Sequence, residues 1–306
     1  MPKITFVSVK GNSYYSDGFL SVGMFLQDKK AILIDSGGDE SAAKDIHAAA
    51  EALGAEVVAI ITTHCHPDHC GGNSFLQKKY PAVLTYAAYN EKFFIEDPLQ
   101  APRCFCMGAV PFSGLQNKYL APQRPSVITN VIAPYEDQII TISGVPMRIV
   151  TLPGHTQGSI GVITPDNVLY SGDALFGKET LLKHPILLYT DIATTFATFD
   201  KLEKYVVDAC VLYHGGVMYE LSGLITEHRE NLKRIKESVV VIIQKESCSL
   251  DVLTQKIMQQ YTIPSSMISF VLTQTALRAY VTLLEEEGIV KLVVNDGLLQ
   301  AVYVKE

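Results

Sequence analysis

The chain has 306 residues, of which 48% are apolar and 19% charged, with a formal net charge of -7. This composition excludes a disordered or fibrous class, and the acidic balance disfavours nucleic acid as a partner. The length suits one large domain with a small appendage. Met1 to Asn12 lacks the sustained apolar stretch of a secretory signal, and the densest aliphatic run, Val239 to Ile243, is too short to cross a bilayer. A cytoplasmic protein without a membrane partner is expected. Cysteines 65, 70, 104, 106, 210 and 248 contain no C-x-x-C pair and are expected to be free thiols.

In chain order, Ile4 to Val9, Phe19 to Phe25 and Ala31 to Ile34 read as strands ending in the turn-like Asp35, Ser36, Gly37, Gly38. A helix is predicted from Ser41 to Leu53. Val57 to Ile61 is then an apolar strand that runs directly into Thr-His-Cys-His-Pro-Asp-His-Cys-Gly-Gly. Residues 90 to 130 hold five prolines and five aromatic side chains and cannot form one regular element; long irregular connections of this kind often cover binding sites. Strands are predicted again at Gln138 to Ile142, Met147 to Leu152, Ile160 to Ile163 and Val168 to Tyr170, with helices at Ile192 to Val207 and Leu221 to Gln244. Two strand-rich halves with intervening helices suggest an α/β fold of two facing sheets covered by helices.

The pattern changes beyond Ser247. Helices at Leu250 to Gln260 and Ser269 to Glu287 precede a hairpin turning at Asp296 and Gly297, which is the outline of a small winged-helix-like unit. Domains of 1–245 and 246–306 follow.

His64 and His66 are two residues apart, so an extended segment directs both imidazoles to one side, where they can share a divalent ion. Pro67 redirects the chain, and Asp68 and His69 then supply a carboxylate and an imidazole in another direction. Gly71 and Gly72 allow close backbone approach. One ion could not readily use all four adjacent groups, which points to two. His155, Asp173 and His214 each follow a predicted strand and lie beside glycine.

His-x-His-x-Asp-His, then Gly-His-Thr, Ser-Gly-Asp and a late histidine resemble the metallo-β-lactamase superfamily over roughly residues 1 to 235. The resemblance implies a four-layer αββα sandwich with metals in a shallow cleft at one edge of the sheets. It further implies that His64, His66 and His155 hold one metal, that Asp68, His69 and His214 hold a second, and that Asp173 bridges them. Two divalent ions are expected, with zinc preferred and iron or manganese as alternatives. A hydroxide shared by the ions is the expected nucleophile, with Asp68 as the catalytic residue that orients it and shuttles its proton.

The substrate expected is a small ester or thioester, as in glyoxalase-II-like enzymes. The alternatives are a nuclease or phosphodiesterase of the same superfamily and an iron-dependent, persulfide-dioxygenase-like oxidoreductase. His47 and His228 are read as solvated or capping residues, His184 as a loop residue that is more often outside the cleft than in it, and Cys65 and Cys70 as bystanders. From Val240 to Glu306 the charges sum to -2, so the C-terminal unit is expected to pack against the hydrolase domain or mediate a homodimer rather than grip nucleic acid.

Overall fold

The computed structural model describes residues 3–304, so the terminal residues of both expected domains, including Lys305 and Glu306 of the charge tally, lie outside the described residues. Seven strands form the first sheet in sequence order: β1 (Phe6–Lys10), β2 (Ser13–Ser16), β3 (Gly23–Gln27), β4 (Lys30–Ile34), β5 (Glu56–Ile61), β6 (Leu84–Ala88) and β7 (Asn130–Ile132). The meander from β1 to β4 is antiparallel, and β4 to β7 are parallel. The second sheet comprises β8 (Gln138–Ile142), β9 (Val145–Thr151), β10 (Ile160–Ile163), β11 (Val168–Tyr170), β12 (Ala209–Leu212) and β13 (Gly216–Met218). Within it β9, β11 and β12 run in the same direction.

Strand alternation builds the layers. Ile32 and Ile34 of β4 face Met147, Ile149 and Val162 in the core between the sheets, while Ala31 and Leu33 pack outward on Ala43, Ile46 and Ala50 of the helix Glu40–Ala52. Val150 and Leu152 likewise leave the inner face and meet the helices Ile192–Leu202 and Ser222–Lys245. The result is the four-layer αββα sandwich. The helix at Glu40–Ala52 starts where Asp39 accepts hydrogen bonds from the backbone N–H groups of Ser41 and Ala42.

Four short strands of the two sheets, β2, β6, β7 and β13, were not visible in the sequence pattern, and β3 begins at Gly23, leaving Phe19 exposed. A three-residue strand such as β7 shows no periodicity of its own; its pairing with β6 defines it. The helix starting at Ile192 stops at Leu202, short of the expected Val207, and the chain then turns into β12.

The small C-terminal part contains β14 (Cys248–Ser249), helices Leu250–Gln260 and Met267–Glu286, and the hairpin β15 (Val290–Asn295) to β16 (Leu298–Tyr303). Asp296 and Gly297 both have positive φ, as a tight two-residue hairpin turn requires. Leu253, Ile257, Leu277, Tyr280 and Leu284 join the hydrophobic core that lies outside the second sheet. Helix Met267–Glu286 is long and apolar enough to cross a membrane by length and composition, but in this fold it contributes seven buried residues to packing.

Residues 90–130 break into helices Tyr89–Glu96 and Gln100–Cys104 and a single turn at Ser113–Leu115. The segment is anchored by buried Ile95, Leu115 and Ile128, and Gly114 lies so close to Met267 that a Cβ there would sit 2.8 Å from its sulfur. All six cysteines are unpaired.

Candidate metal centre

Every site residue follows the C-terminal end of a strand: His64, His66, Asp68 and His69 follow β5, His155 follows β9, Asp173 follows β11 and His214 follows β12. These strands belong to two sheets, and their ends open on the same edge of the sandwich. Pro67 opens the short helix Pro67–Cys70, where its fixed φ suits the first helical position and its missing N–H is not needed. The glycines that follow are required sterically. A Cβ on Gly71 would lie 2.1 Å from the Gly38 carbonyl oxygen, and one on Gly72 would lie 2.1 Å from that of Ser36.

The donor atoms fall into two groups, His64, His66 and His155 in one and Asp68, His69, Asp173 and His214 in the other. In the first, His66 Nδ1 lies 3.1 Å from His64 Nε2 and 2.8 Å from His155 Nε2. Donation from His155 Nδ1 to the Leu188 carbonyl leaves its Nε2 lone pair facing the pocket. Burial holds His155 at about 3, with His66 adding to the effect, and burial also lowers His64 and His66 below the usual histidine range. At neutral pH this pocket presents three uncharged imidazoles.

The second group is prepared differently. His69 Nε2 lies 3.2 Å from Asp173 Oδ1, and His214 Nε2 lies 3.1 Å from Asp68 Oδ2 and 3.5 Å from Asp173 Oδ2. Burial opposes charge on His214, but Asp173 and Asp68 outweigh it and raise the ring to about 9. His69 is raised in the same way, against burial, by Asp173, Asp35 and Asp68. The carboxylates respond in kind: burial alone would raise Asp68, yet His69 and His214 bring it down to about 2, and Asp173 is also lowered.

The donor set fits divalent ions. His69 Nε2 and Asp173 Oδ1 are buried and have no hydrogen-bond partner, although they face each other at 3.2 Å. Buried polar atoms without a partner are costly, and a cation between them would satisfy both. Asp173 approaches both groups, with Oδ2 3.5 Å from His155 Nε2.

Supporting residues not singled out in the sequence complete the centre. Asp35, in the left-handed region at φ 66°, accepts from the backbone N–H and hydroxyl of Thr63 and from His69 Nδ1 at 2.8 Å. Its only sequence signal was the Asp-Ser-Gly-Gly turn after an apolar strand. Tyr213 stacks on His69 with ring centroids 3.8 Å apart, and its hydroxyl donates to the Asp68 carbonyl oxygen. Adjacency to His214 was the available clue.

Two histidine expectations are corrected. His228 is fully buried rather than solvated: Nδ1 donates to the Leu224 carbonyl and Nε2 accepts from the N–H of Phe176, whose ring stacks on His214. His47 is also buried and bonds the Tyr80 hydroxyl at 2.7 Å. Each ring lies on the apolar face of its helix, with Ala43 and Ala50 in line with His47 and Leu224 and Leu232 in line with His228, a spacing that the solvated reading overlooked. His184 is exposed at the end of helix Lys178–Lys183, whose Thr180 hydroxyl donates to the His214 carbonyl. Cys65 and Cys70 are buried, and burial raises both thiols well above the usual range, as suits inert bystanders.

Residues 17–214 match the family model of the metallo-beta-lactamase superfamily. The chain belongs to that superfamily, whose fold, with this His and Asp donor set, implies divalent metals. Among curated proteins it is similar to the hydroxyacylglutathione hydrolase of Synechococcus sp. (strain JA-3-3Ab), with 29% identity over 40% of this chain and 37% of that protein. It is also similar to the hydroxyacylglutathione hydrolase GloC of Haemophilus influenzae, with 28% identity over 49% of this chain and 63% of that one. The match thus spans less than two thirds of either relative. A metallo-beta-lactamase family protein of Thermus thermophilus superposes with a TM-score of 0.73 over 99% of both chains at 17% identity. A beta-lactamase domain protein of Burkholderia ambifaria gives 0.77 over 98% of this chain and 94% of that one, also at 17% identity. At such identities the likeness concerns the fold, and it extends through the C-terminal part.

Proposed function

We propose that this chain is a binuclear zinc hydrolase acting on a small thioester. The observation that carries the metal reading is the convergence of seven donors in two adjoining groups, with His69 Nε2 and Asp173 Oδ1 buried and unpartnered. The thioester reading rests on similarity to proteins named hydroxyacylglutathione hydrolases. A pair of divalent ions held by these residues would supply Lewis-acid polarisation of a carbonyl and lower the pKa of water toward neutrality.

The chain's own residues do the rest. His64, His66 and His155 would hold one ion, Asp68, His69 and His214 the other, and Asp173 both. Asp68 has a side chain 40% exposed beside nearly buried ligands, so it reaches the open side of the centre. There its carboxylate can accept a hydrogen bond from water, orient it toward the substrate and hold the proton released. His214, 3.1 Å away, keeps that carboxylate in place.

Residues 90–130 are assigned to shaping substrate choice, supported by exposed Phe93, Met107, Phe112 and Tyr119 on an otherwise anchored segment. The C-terminal part is assigned to packing or homodimerisation in a cytoplasmic protein, without nucleic acid, supported by its burial in the shared core and its acidic balance.

The test is zinc stoichiometry by elemental analysis, followed by turnover on thioesters, lactones, β-lactams and phosphodiesters. Close to two zinc ions per chain and preference for a thioester are expected. Iron with oxygen-dependent activity, or preference for a phosphodiester, would replace this reading.

A further inference from the structure

Glu91 is a buried acid that none of the chemistry above employs. It lies on the helix Tyr89–Glu96, at the start of the irregular segment, and is 2% exposed. Its Oε2 accepts from the backbone N–H of Cys65 at 2.8 Å, and Cys65 stands between His64 and His66. Its Oε1 accepts from the backbone N–H of Gly158 at 2.8 Å and from the hydroxyl of Thr156, the residue after His155, at 2.9 Å. One carboxylate therefore ties the loop after β5, in the first sheet, to the loop after β9, in the second. These loops carry all three histidines of the first pocket.

The contact is built for a carboxylate. Cys65 and Gly158 present backbone N–H groups that can only donate, and a Cβ on Gly158 would come within 2.6 Å of Oε1, so no larger residue leaves room for the acid. Among the described residues no Lys or Arg forms an ion pair with Glu91, so its partners are the two ligand loops alone. An amide there would turn its NH2 group toward a backbone N–H, that of Cys65 or that of Gly158, in either orientation. Groups that orient metal ligands in this manner commonly change metal affinity by about 10- to 100-fold when altered.

We propose that Glu91 is a positioning residue of the first metal pocket: it sets the spacing of His64, His66 and His155 by joining their two loops, and acts on that pocket selectively. The inference rests on the binuclear reading above. Zn2+ affinity, measured by competition with a chromophoric chelator on the full chain, separates the two. Asp68→Ala leaves the three-histidine pocket as the stronger site, and His66→Ala leaves the acidic pocket.

Adding Glu91→Gln is expected to weaken Zn2+ about 10- to 100-fold in the Asp68→Ala protein and less than about threefold in the His66→Ala protein. Glu91→Asp, which keeps the carboxylate with a shorter reach, is expected to recover part of the loss, and it serves as the measured variant should the glutamine variant fail to fold. Equal weakening of both pockets, or no weakening of the first, would overturn the proposal while leaving the binuclear reading intact. Wild-type protein that holds no Zn2+ would overturn both.

Discussion

The two donor groups share an edge of the sandwich, and Asp173 approaches both, yet they are prepared by opposite electrostatics. Around His64, His66 and His155, burial removes the proton from each imidazole before any ion arrives. Around His69 and His214, the carboxylates of Asp68 and Asp173 outweigh burial and keep the rings protonated. The first group offers free lone pairs, whereas His69 and His214 in the second would have to lose ring protons before they could serve as ligands. Desolvation and pairing are thus alternative routes to a ligand set, and they differ in how the finished site depends on pH.

The largest expected effect tests whether the exposed acid of the second pocket has a chemical task beyond holding charge. Asp68→Asn should lower turnover by about 10²- to 10⁴-fold on the best substrate found, because the amide cannot take up a proton. Steady-state kinetics at saturating zinc would show it, and an unchanged turnover number would reduce Asp68 to a ligand.

The pH dependence of binding sharpens the contrast itself. With His214 at about 9 in the metal-free protein, its proton is bound throughout the neutral range, so zinc affinity of the second pocket should rise about tenfold per pH unit for each proton displaced, levelling as pH passes that value. In the first pocket His155 titrates at about 3, so its affinity should be nearly flat over the same range. Chelator competition between about pH 6 and pH 9 on His66→Ala and Asp68→Ala proteins compares the two slopes. Parallel slopes would dissolve the distinction.

A smaller effect is expected at Tyr213, which braces the second pocket through its hydroxyl on the Asp68 carbonyl and its ring on His69. Tyr213→Phe keeps the stacking and removes the hydrogen bond, so second-pocket affinity should fall about tenfold with the first unchanged. Affinities measured in the same two single-pocket backgrounds check this, and equal losses in both would show a general loosening of the edge.

The seven candidate ligands were legible because local rules announce them. Alternate residues of an extended segment share a side, so His64 and His66 had to point together, and Pro67 with the following glycines marked the turn that brings Asp68 and His69 to the other side. The layered class was legible for a similar reason, since apolar strands such as β4, β5, β10 and β12 bury both faces and read as unbroken runs.

Tertiary structure alone decided which residues support those ligands and what charge they carry. Glu91 lies 26 residues from Cys65 and 67 from Gly158, and no periodicity links positions so distant. Helical spacing sets His47 between Ala43 and Ala50 and His228 between Leu224 and Leu232, on apolar faces, but the groups that bond each ring, the Tyr80 hydroxyl and the Phe176 N–H, come from other elements. The opposite protonation of His155 and His214 likewise follows from distances between side chains on different strands. The identity and order of the ligand candidates, and through the family resemblance their grouping, can be read along the chain; their pKa values and their braces arise only when strand ends from two sheets meet at one edge.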